Sequence, residues 1–334
     1  MNSECRILHG ISEIGRVRWL SLQSASPLAS FFQSVEACEF FSRCGAMGTY
    51  VVGVERHGML KGVIVAMLYH EGRWPKSRLS ARAIVNGGPL VAPDIDDDAL
   101  RSLLLACLHD LRRRYVYTEI RNFHDYSRWR HLFEACGLRY EPHYNFHIDL
   151  AHYDAQKQLS SARRYELRRA TREGVAVDIN PTEADISAFY RILCHLYSHR
   201  VKRPLPTLQF FAALCRQPFA HCILGKHQGR VVGGTLCVGL PGQPLYEWYA
   251  CGDNSAGAHL YPSTVATYGA IDYALAHGHP LFDMMGAGSP GDGGYGVRDF
   301  KAQFGGQLVE HGRYIHVNQR LIYQAGKAYL KIMG

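Results

Sequence analysis

The chain has 334 residues, of which 47% are hydrophobic and 20% charged, with a formal net charge of +8. This composition is that of an ordinary globular protein of about two domains, and it excludes a disordered chain. There is no membrane-length apolar run and no apolar leader, so we expect a soluble, cytoplasmic protein. The positive charge is typical of proteins with a polyanionic partner, such as RNA, a nucleotide sugar or an anionic membrane.

Cysteine and histidine spacing gives little support for a metal site. The ten cysteines include no CxxC pair, which excludes a zinc ribbon and a thioredoxin motif, and most lie in apolar runs. We expect them to be reduced and buried. His195 and His199 have HxxxH spacing on a predicted helix, which suits a metal, but no third ligand follows. We therefore expect structural or surface roles for both histidines and no metal.

The first half of the chain predicts alternating helices and strands. Helical spacing of apolar residues and runs of β-branched residues identify the elements, and glycine marks their ends. The predicted elements are a helix over 28–41, a hairpin of strands 49–55 and 59–69, an interrupted strand 83–91, a helix 94–115, a strand 116–121, a helix 126–136, and strands 138–141 and 145–150.

The second half repeats this order of elements. The predicted elements are helices 184–200 and 206–216, a hairpin of strands 221–227 and 230–240, a strand 245–251, a helix 263–277, a strand 281–285, a strand 308–317 and a helix 321–332. The repeat predicts an α/β (α+β) protein of two tandem domains, each built on a mixed central sheet. We expect domains at 1–151 and 152–316, with 317–334 packing back on the first. The hairpins argue against a dinucleotide-binding fold.

The most informative stretch is 286–306, GAGSPGDGGYGVRDFKAQFGG. Glycines let backbone N–H groups approach a phosphate or carbonyl closely, and Lys301 follows as a mobile charge. The stretch matches neither a Walker loop nor a GxGxxG motif in a βαβ unit. The alternative is a surface loop followed by a helix capped by Gly305. The candidate substrate-binding residues here are Gly286, Gly288 and Arg298.

A basic helix is predicted at the joint between the halves, in LSSARRYELRRATREGVAV. Arg164, Arg168 and Arg172 recur at intervals of four and share one face, and Arg163 adds a further charge. One face of arginines suits a phosphate-rich ligand. The alternative is a solvated helix whose acidic residues pair with some of the arginines.

Three further side chains are candidates for a substrate groove. Tyr246 and Tyr249 lie on a predicted strand that also carries Trp248, and the core is the alternative for such aromatic residues. Asp283 ends a strand just before the glycine-rich loop. It would either orient an incoming amine or cap the loop backbone.

Five segments together resemble one family. They are IVNGGPLV, YTEIRNFHDYSRWRHLFEACGLRYEPHYNFHIDL, SSARRYELRRATREGV, LYPSTVATYGAIDYALAHGHPLFDMMG and GVRDFKAQFGG. They look like the Fem-type peptidoglycan-bridge aminoacyltransferases, the methicillin-resistance group within the GNAT superfamily. The match covers most of the chain from about residue 26.

The resemblance implies two GNAT-like domains and transfer of an amino acid from aminoacyl-tRNA to an amine of a peptidoglycan precursor during cell-wall synthesis. It implies that Phe300 and Lys301 lie in the active site. The lysine would neutralise charge developing on the ester carbonyl, and the phenylalanine would form an apolar wall. It also implies phosphate contacts for Arg163, Arg164 or Arg168. It implies no cofactor and no DNA partner, and it leaves the oligomeric state open.

The sequence departs from the family in two respects. No stretch can form the long helical arm that some Fem proteins carry, and neither candidate region has the Gln/Arg-x-x-Gly-x-Gly/Ala turn typical of acyl-CoA binding. Two alternatives therefore stay open. One is a tandem-GNAT N-acyltransferase that uses an acyl-CoA or acyl-carrier donor, and the other is a non-catalytic module that binds a nucleotide sugar or RNA.

Overall fold

The computed structural model describes residues 5–45, 48–202, 204–292 and 296–333. The chain forms two compact units, Met1–His143 with His311–Gly334, and Tyr144–Glu310. The boundaries expected from sequence lay at 151/152 and 316/317. The structure draws them earlier because the strand that begins at Tyr144 pairs in the second sheet, whereas the strand that begins at Arg313 pairs in the first.

Each unit is built from one extended sheet and several α-helices. The strands are β1 (Arg6–His9), β2 (Gly48–Arg56), β3 (Met59–Tyr69), β4 (Arg82–Asn86), β5 (Leu90–Val91), β6 (Tyr117–Arg121), β7 (Arg139–Glu141), β8 (Tyr144–Asp149), β9 (Val175–Asp178), β10 (Ala220–His227), β11 (Arg230–Val238), β12 (Leu245–Gly252), β13 (Leu281–Gly286), β14 (Gln307–Glu310) and β15 (Arg313–Val317). The α-helices are α1 (Gly10–Ile14), α2 (Arg16–Ala25), α3 (Val35–Cys44), α4 (Lys76–Leu79), α5 (Asp97–Leu111), α6 (Arg130–Ala135), α7 (Ala155–Gln158), α8 (Ser161–Arg172), α9 (Glu183–Leu196), α10 (Leu208–Cys215), α11 (Pro262–Ala276), α12 (Gly296–Ala302) and α13 (Arg320–Met333). No described helix is both long and apolar enough to cross a membrane.

The two sheets share one plan. The first has the order β1-β2-β3-β4-β6-β15-β7, with β5 against β3, and the second has the order β9-β10-β11-β12-β13-β8-β14. In each sheet one neighbouring pair is parallel, β4 with β6 and β12 with β13, and the other pairs are antiparallel. The prediction of two mixed-sheet domains is confirmed.

The chain passes from the first sheet to the second after β7 and returns to the first after β14. Strand β7 belongs to the first sheet and the next strand, β8, to the second, while β14 and β15 make the reverse exchange. The prediction of one continuous strand over 308–317 is therefore wrong. Gly312, with φ of 65°, breaks it into β14 and β15 because glycine accepts this left-handed conformation without strain.

The core of each unit lies between its sheet and a long helix. Helix α5 begins where the Asp96 carboxylate accepts a hydrogen bond from the Ala99 amide at 2.9 Å, and its leucine face is buried against the first sheet. Helix α11 buries its alanine and isoleucine face against the second sheet. The predicted helix 28–41 is shorter than expected, since a 3₁₀ turn, Phe31–Gln33, precedes α3.

The two parallel pairs differ in length. Strands β4 and β6 pair along five residues, from Arg82↔Tyr117 to Asn86↔Arg121. Strands β12 and β13 pair only at Leu245↔Phe282 and Tyr246↔Asp283. Strand β12 also has a β-bulge at Trp248. Cys237 of β11 pairs with Glu247, whereas its neighbour Leu236 pairs with Tyr249, so the register between the two strands skips Trp248. The second sheet thus opens beyond Asp283.

Candidate functional site

Lys301 lies where strands β12 and β13 part. Its ammonium donates to the carbonyl oxygens of Met284 at 2.5 Å and Gly286 at 2.8 Å, with Met285 at 3.4 Å, and only 8% of the residue is exposed. Three successive carbonyls converge because Met285 takes φ of 58°. The ammonium is therefore fixed at the end of β13 rather than mobile.

Two buried carboxyl groups accompany this ammonium. Glu247 lies on β12, is 6% exposed and accepts a hydrogen bond from Thr267 at 3.0 Å. Burial raises its pKa to about 7, although the charge of Lys301 opposes the rise. Burial lowers the pKa of Lys301, against the charges of Glu247 and Asp283. A carboxyl group that titrates near neutrality is suited to proton transfer.

Asp283 also belongs to a row of side chains that crosses one face of the sheet. Tyr246, Asp283, His147 and Gln307 are register partners on four neighbouring strands, so they share one face. His147 Nε2 lies 3.3 Å from Asp283 Oδ2, and the Asn145 amide lies 3.3 Å from the same oxygen. The imidazole therefore lies within ion-pair distance of the Asp283 carboxylate.

The face that carries His147 opens into a cavity of about 410 Å³. Alternate residues of three strands line it, among them His147 and Asp149 of β8, Leu281 of β13 and Gln307 of β14. A small substrate group could therefore reach the imidazole, whose partner Asp283 is fully buried behind it. The arrangement places an imidazole at a cavity wall, with the buried Asp283 carboxylate behind it.

The aromatic residues of the predicted active site pack with Arg163. Its guanidinium lies over the rings of Phe300 at 4.4 Å and Phe304 at 5.4 Å. It also donates to Thr264 Oγ1 at 2.9 Å and pairs with Glu166. The residue is 8% exposed, so this arginine ties α8 to α11 and α12 instead of facing solvent.

Comparisons with known proteins identify this architecture. Residues 157–301 match the family model described as the acetyltransferase (GNAT) domain. The structure of FemX shares 14% identity and a TM-score of 0.70, covering 96% of this chain and 99% of FemX. The chain has the fold of the Fem-type tandem GNAT proteins.

Two other solved structures have a similar fold at lower similarity. A tandem GNAT protein from the clavulanic acid biosynthesis pathway has 13% identity and a TM-score of 0.58, covering 94% of this chain and 99% of its own. L-PGS from Bacillus licheniformis has 12% identity and a TM-score of 0.57, covering 91% and 92%. No curated protein sequence matches the chain. The predicted fold class, two GNAT-like domains with mixed sheets, is confirmed.

The predicted substrate-binding residues of the glycine-rich stretch make backbone contacts within this GNAT fold. Arg298 donates to the carbonyls of Ala287 at 3.1 Å and Ser289 at 2.9 Å, so it shapes the glycine-rich loop. Gly286 offers its carbonyl to Lys301, and Gly288, with φ of 79°, accepts from the amide of Tyr144 at 2.8 Å. Residues 293–295 of the loop lie outside the described residues.

Of the three arginines predicted to contact phosphate, only Arg168 is available. Arg164 donates to the carbonyls of Gln156, at 3.0 Å, and Leu159. Arg168 is exposed, and within the described parts of the chain it has no acidic or hydrogen-bonding partner. Tyr246 is buried in the core, and Tyr249 packs its ring 4.8 Å from that of Phe211.

Sequence reasoning missed Glu247 and His147. Glu247 is a carboxylate within an otherwise apolar strand, LYEWYAC, and a charge at such a position is a detectable signal. His147 alternates with apolar residues along β8, which indicates a side chain on the face away from the core. His195 and His199, in contrast, stack their rings 4.3 Å apart. No metal-binding group of three or more side chains occurs in the described ranges.

Proposed function

We propose that this protein is an acyltransferase and that its second unit transfers an acyl group to an amine beside the diverging ends of β12 and β13. The observation that supports this most is the buried group of Lys301, Glu247 and Asp283 at the opening of a GNAT-type sheet. Buried ionisable groups with shifted pKa values are concentrated at functional sites, and elsewhere they destabilise a fold.

The reaction requires a deprotonated amine and a stabilised oxyanion. The amine nitrogen attacks the carbonyl carbon of the donor ester, a C–N bond forms, and the C–O bond to the leaving hydroxyl breaks. We assign acceptance of the amine proton to His147, because its imidazole lines a cavity and lies 3.3 Å from the Asp283 carboxylate. Lys301 fixes the backbone around the glycine-rich loop and supplies positive potential as the oxyanion forms.

For the substrates we propose aminoacyl-tRNA as donor and an amine of a cell-wall peptide precursor as acceptor, in the cytoplasm. The FemX-like fold, the net charge of +8 and the exposed Arg168 favour a polyanionic donor. The described chain carries no long helical arm, so tRNA contact would depend on the compact surface.

Mass spectrometry of reaction products tests the assignment. The protein is incubated with an amine-bearing peptidoglycan precursor and either mixed aminoacyl-tRNA or acyl-CoA. We expect a mass increase of one amino acid with charged tRNA only. Product with acyl-CoA alone would instead identify an N-acyltransferase, and tight, salt-dependent RNA binding without donor consumption would identify a binding module.

A further inference from the structure

Helix α13 presents an exposed apolar face. Leu321, Ala325 and Ala328 recur at intervals of four and three residues, so they lie on one face of the helix. All three are exposed, and 84% of Leu321 is accessible to solvent. Tyr323, on the opposite side of the helix, packs its ring 5.5 Å from that of Tyr117 on β6. The helix is therefore held to the first unit on one side and leaves apolar side chains exposed on the other.

Two more exposed apolar residues lie beside α13. Leu79 belongs to α4, which packs next to α13, and Trp74 precedes α4 in the chain. Trp74 is 82% exposed and Leu79 is 54% exposed. The two helices are tied to the same loop, because Gln319 and Arg78 both donate to the Arg113 carbonyl, at 3.2 Å and 3.0 Å. The large apolar residues of both helices therefore belong to one region of the surface.

Basic side chains accompany these apolar residues. They lie on the α4 segment, on the loop after α5 and on α13, and all of them are exposed: Arg73, Lys76, Arg112, Arg113, Arg114, Arg320 and Lys327. Glu71 pairs with Arg82 at 2.9 Å and lies 4.0 Å from the Lys76 ammonium. Within the described ranges no carboxylate pairs with the arginines of this group, and the sequence of α13 contains no acidic residue. The region therefore carries a net positive charge.

An anionic lipid surface matches both the apolar and the basic residues. Helices that bind at a membrane surface place leucine and tryptophan in the headgroup region and lysine and arginine near the lipid phosphates. An RNA would neutralise the arginines but would leave Leu79 and Leu321 against polar sugars and phosphates. Helix α13 has 14 residues, fewer than the roughly 20 that span a bilayer, so it would lie along the surface.

We propose that residues 73–79, the loop 112–114 and α13 form a surface that docks the protein on membranes containing anionic phospholipids. We call it the α4–α13 surface. Trp74, Leu79 and Leu321 enter the headgroup region, and the arginines bind the lipid phosphates. The docking is peripheral and reversible, because its apolar contribution comes from a few side chains and its electrostatic contribution is screened by salt.

Flotation of the full chain with lipid vesicles tests this surface. We expect binding to phosphatidylcholine vesicles that contain about 30% phosphatidylglycerol, at least about fivefold tighter than to phosphatidylcholine alone and weaker as salt increases. Leu321→Asp should weaken binding about tenfold through loss of apolar burial, and Arg113→Ala about fivefold through loss of one charge.

Two exposed residues of the first unit supply matched controls. Val17→Asp places a charge on α2, where Val17 is 77% exposed, and Arg101→Ala removes an exposed charge from α5. Each should change vesicle affinity less than about twofold, because neither residue belongs to the α4–α13 surface. Urea denaturation should show that all four variants fold.

Tryptophan fluorescence gives an independent measurement of the same contact. Trp19 and Trp129 are buried and Trp248 is half-buried, so a change in emission on adding vesicles reports mainly on Trp74. We expect a shift to shorter wavelength as the indole leaves water. Trp74→Phe should keep vesicle binding and lose the shift.

The proposal is overturned if the protein does not float with phosphatidylglycerol vesicles, or if it binds phosphatidylcholine alone equally well. It is also overturned if Val17→Asp weakens binding as much as Leu321→Asp. Without vesicle binding, a short RNA whose affinity falls in Arg113→Ala would identify an RNA surface, and a dimer disrupted by Leu321→Asp would identify a contact between copies. None of these measurements depends on acyl transfer, so they are independent of the proposed function.

Discussion

The two units have the same strand order, but their pairs of parallel strands differ in how many residues they pair. In the first unit β4 and β6 stay paired along five residues, whereas in the second β12 and β13 part after two. The end of β4 is closed by neutral side chains. Gln33 donates to the carbonyls of Gly87 at 2.8 Å and Gly88 at 2.9 Å, and Tyr126 donates to those of Gly87 at 2.9 Å and Pro89 at 2.8 Å. The equivalent carbonyls of β13 receive the charged Lys301 instead.

The buried carboxyl groups show the same contrast. Burial opposes ionisation of Glu119 in the first unit, but the charges of Arg121 and Arg313 lower its pKa to about 2. Burial of Glu247 in the second unit raises its pKa to about 7. The first group is a permanent ion pair that stabilises a strand junction. The second has a pKa near neutral pH, which suits the proton transfer that the proposed function requires of the second unit.

The largest expected effect comes from Lys301→Met. Three carbonyls would lose their donor and two buried carboxyl groups their positive neighbour, so turnover should fall at least ~100-fold. The free energy of unfolding should fall by ~3 kcal/mol. Product formation by mass spectrometry and urea denaturation measure the two quantities.

Lys61→Met is the matched control, because Lys61 is also 8% exposed and lies 2.7 Å from Asp94 in the first unit. It should reduce stability and leave turnover of the folded protein unchanged. A folded Lys301→Met protein with full turnover would remove Lys301 from the mechanism.

Glu247→Gln should change how stability depends on pH. The folded-state pKa of Glu247, about 7, exceeds the ordinary value of 4.5, so its protonated form stabilises the fold below pH 4.5. That stability is lost as pH rises through 7, a loss of ~3 kcal/mol for a shift of this size. The variant should lack this loss when denaturation is compared between pH 5 and pH 8.

Glu119→Gln should change the dependence of stability on pH in the opposite direction and at lower pH. Because the pKa of Glu119 is lowered from 4.5 to about 2, its stabilisation is present above pH 4.5 and lost as pH falls toward 2. If both variants changed stability over the same pH range, the electrostatic contrast between the units would be wrong.

Tyr126→Phe tests the closed end of β4. The loss of one hydroxyl leaves the Gly87 and Pro89 carbonyls with fewer donors, which should cost ~2 kcal/mol of unfolding free energy. Turnover should change less than about threefold, since Tyr126 is only 2% exposed and holds the fold. Initial rates on the folded variant give the answer, and a complete loss of turnover would place chemistry in the first unit.

The smallest expected effect is that of Arg168→Ala. This exposed arginine should contribute one phosphate contact, so RNA affinity should fall a few-fold and the slope of log affinity against log salt should drop by ~1. Arg163→Ala should lower stability instead, because its guanidinium holds Thr264 and two aromatic rings. Fluorescence titration at several salt concentrations separates the two, and an unchanged slope for Arg168→Ala would remove that residue from the RNA surface.

Local patterns predicted most of the fold. The hairpin of β2 and β3 follows from two runs rich in β-branched residues on either side of His57 and Gly58, which take φ of 53° and 75°. Strands β1 and β9, of four residues each, were not predicted because their stability comes from pairing with β2 and β10. The break at Gly312 was missed because each half of that segment pairs in a different sheet.

The site was predictable only in part. The glycine-rich stretch drew attention to Lys301, but its burial depends on the left-handed turn at Met285 and on contacts distant in sequence. The partner of Arg163, Thr264, lies 101 residues away, so no local pattern indicated that the arginine would be buried. Glu247 acquires its raised pKa from tertiary burial, which periodicity does not measure.

Hydrogen exchange measured by mass spectrometry tests most directly whether the open end of the second sheet holds the donor. The exchange of backbone amides is compared with and without the donor that yields product, charged tRNA or acyl-CoA. We expect added protection in peptides that cover β12 and the segment from β13 to residue 292. Protection confined to β4, β6 and the residues between Asn86 and Leu90 would contradict the account, because the donor would then lie at the closed end of the first sheet.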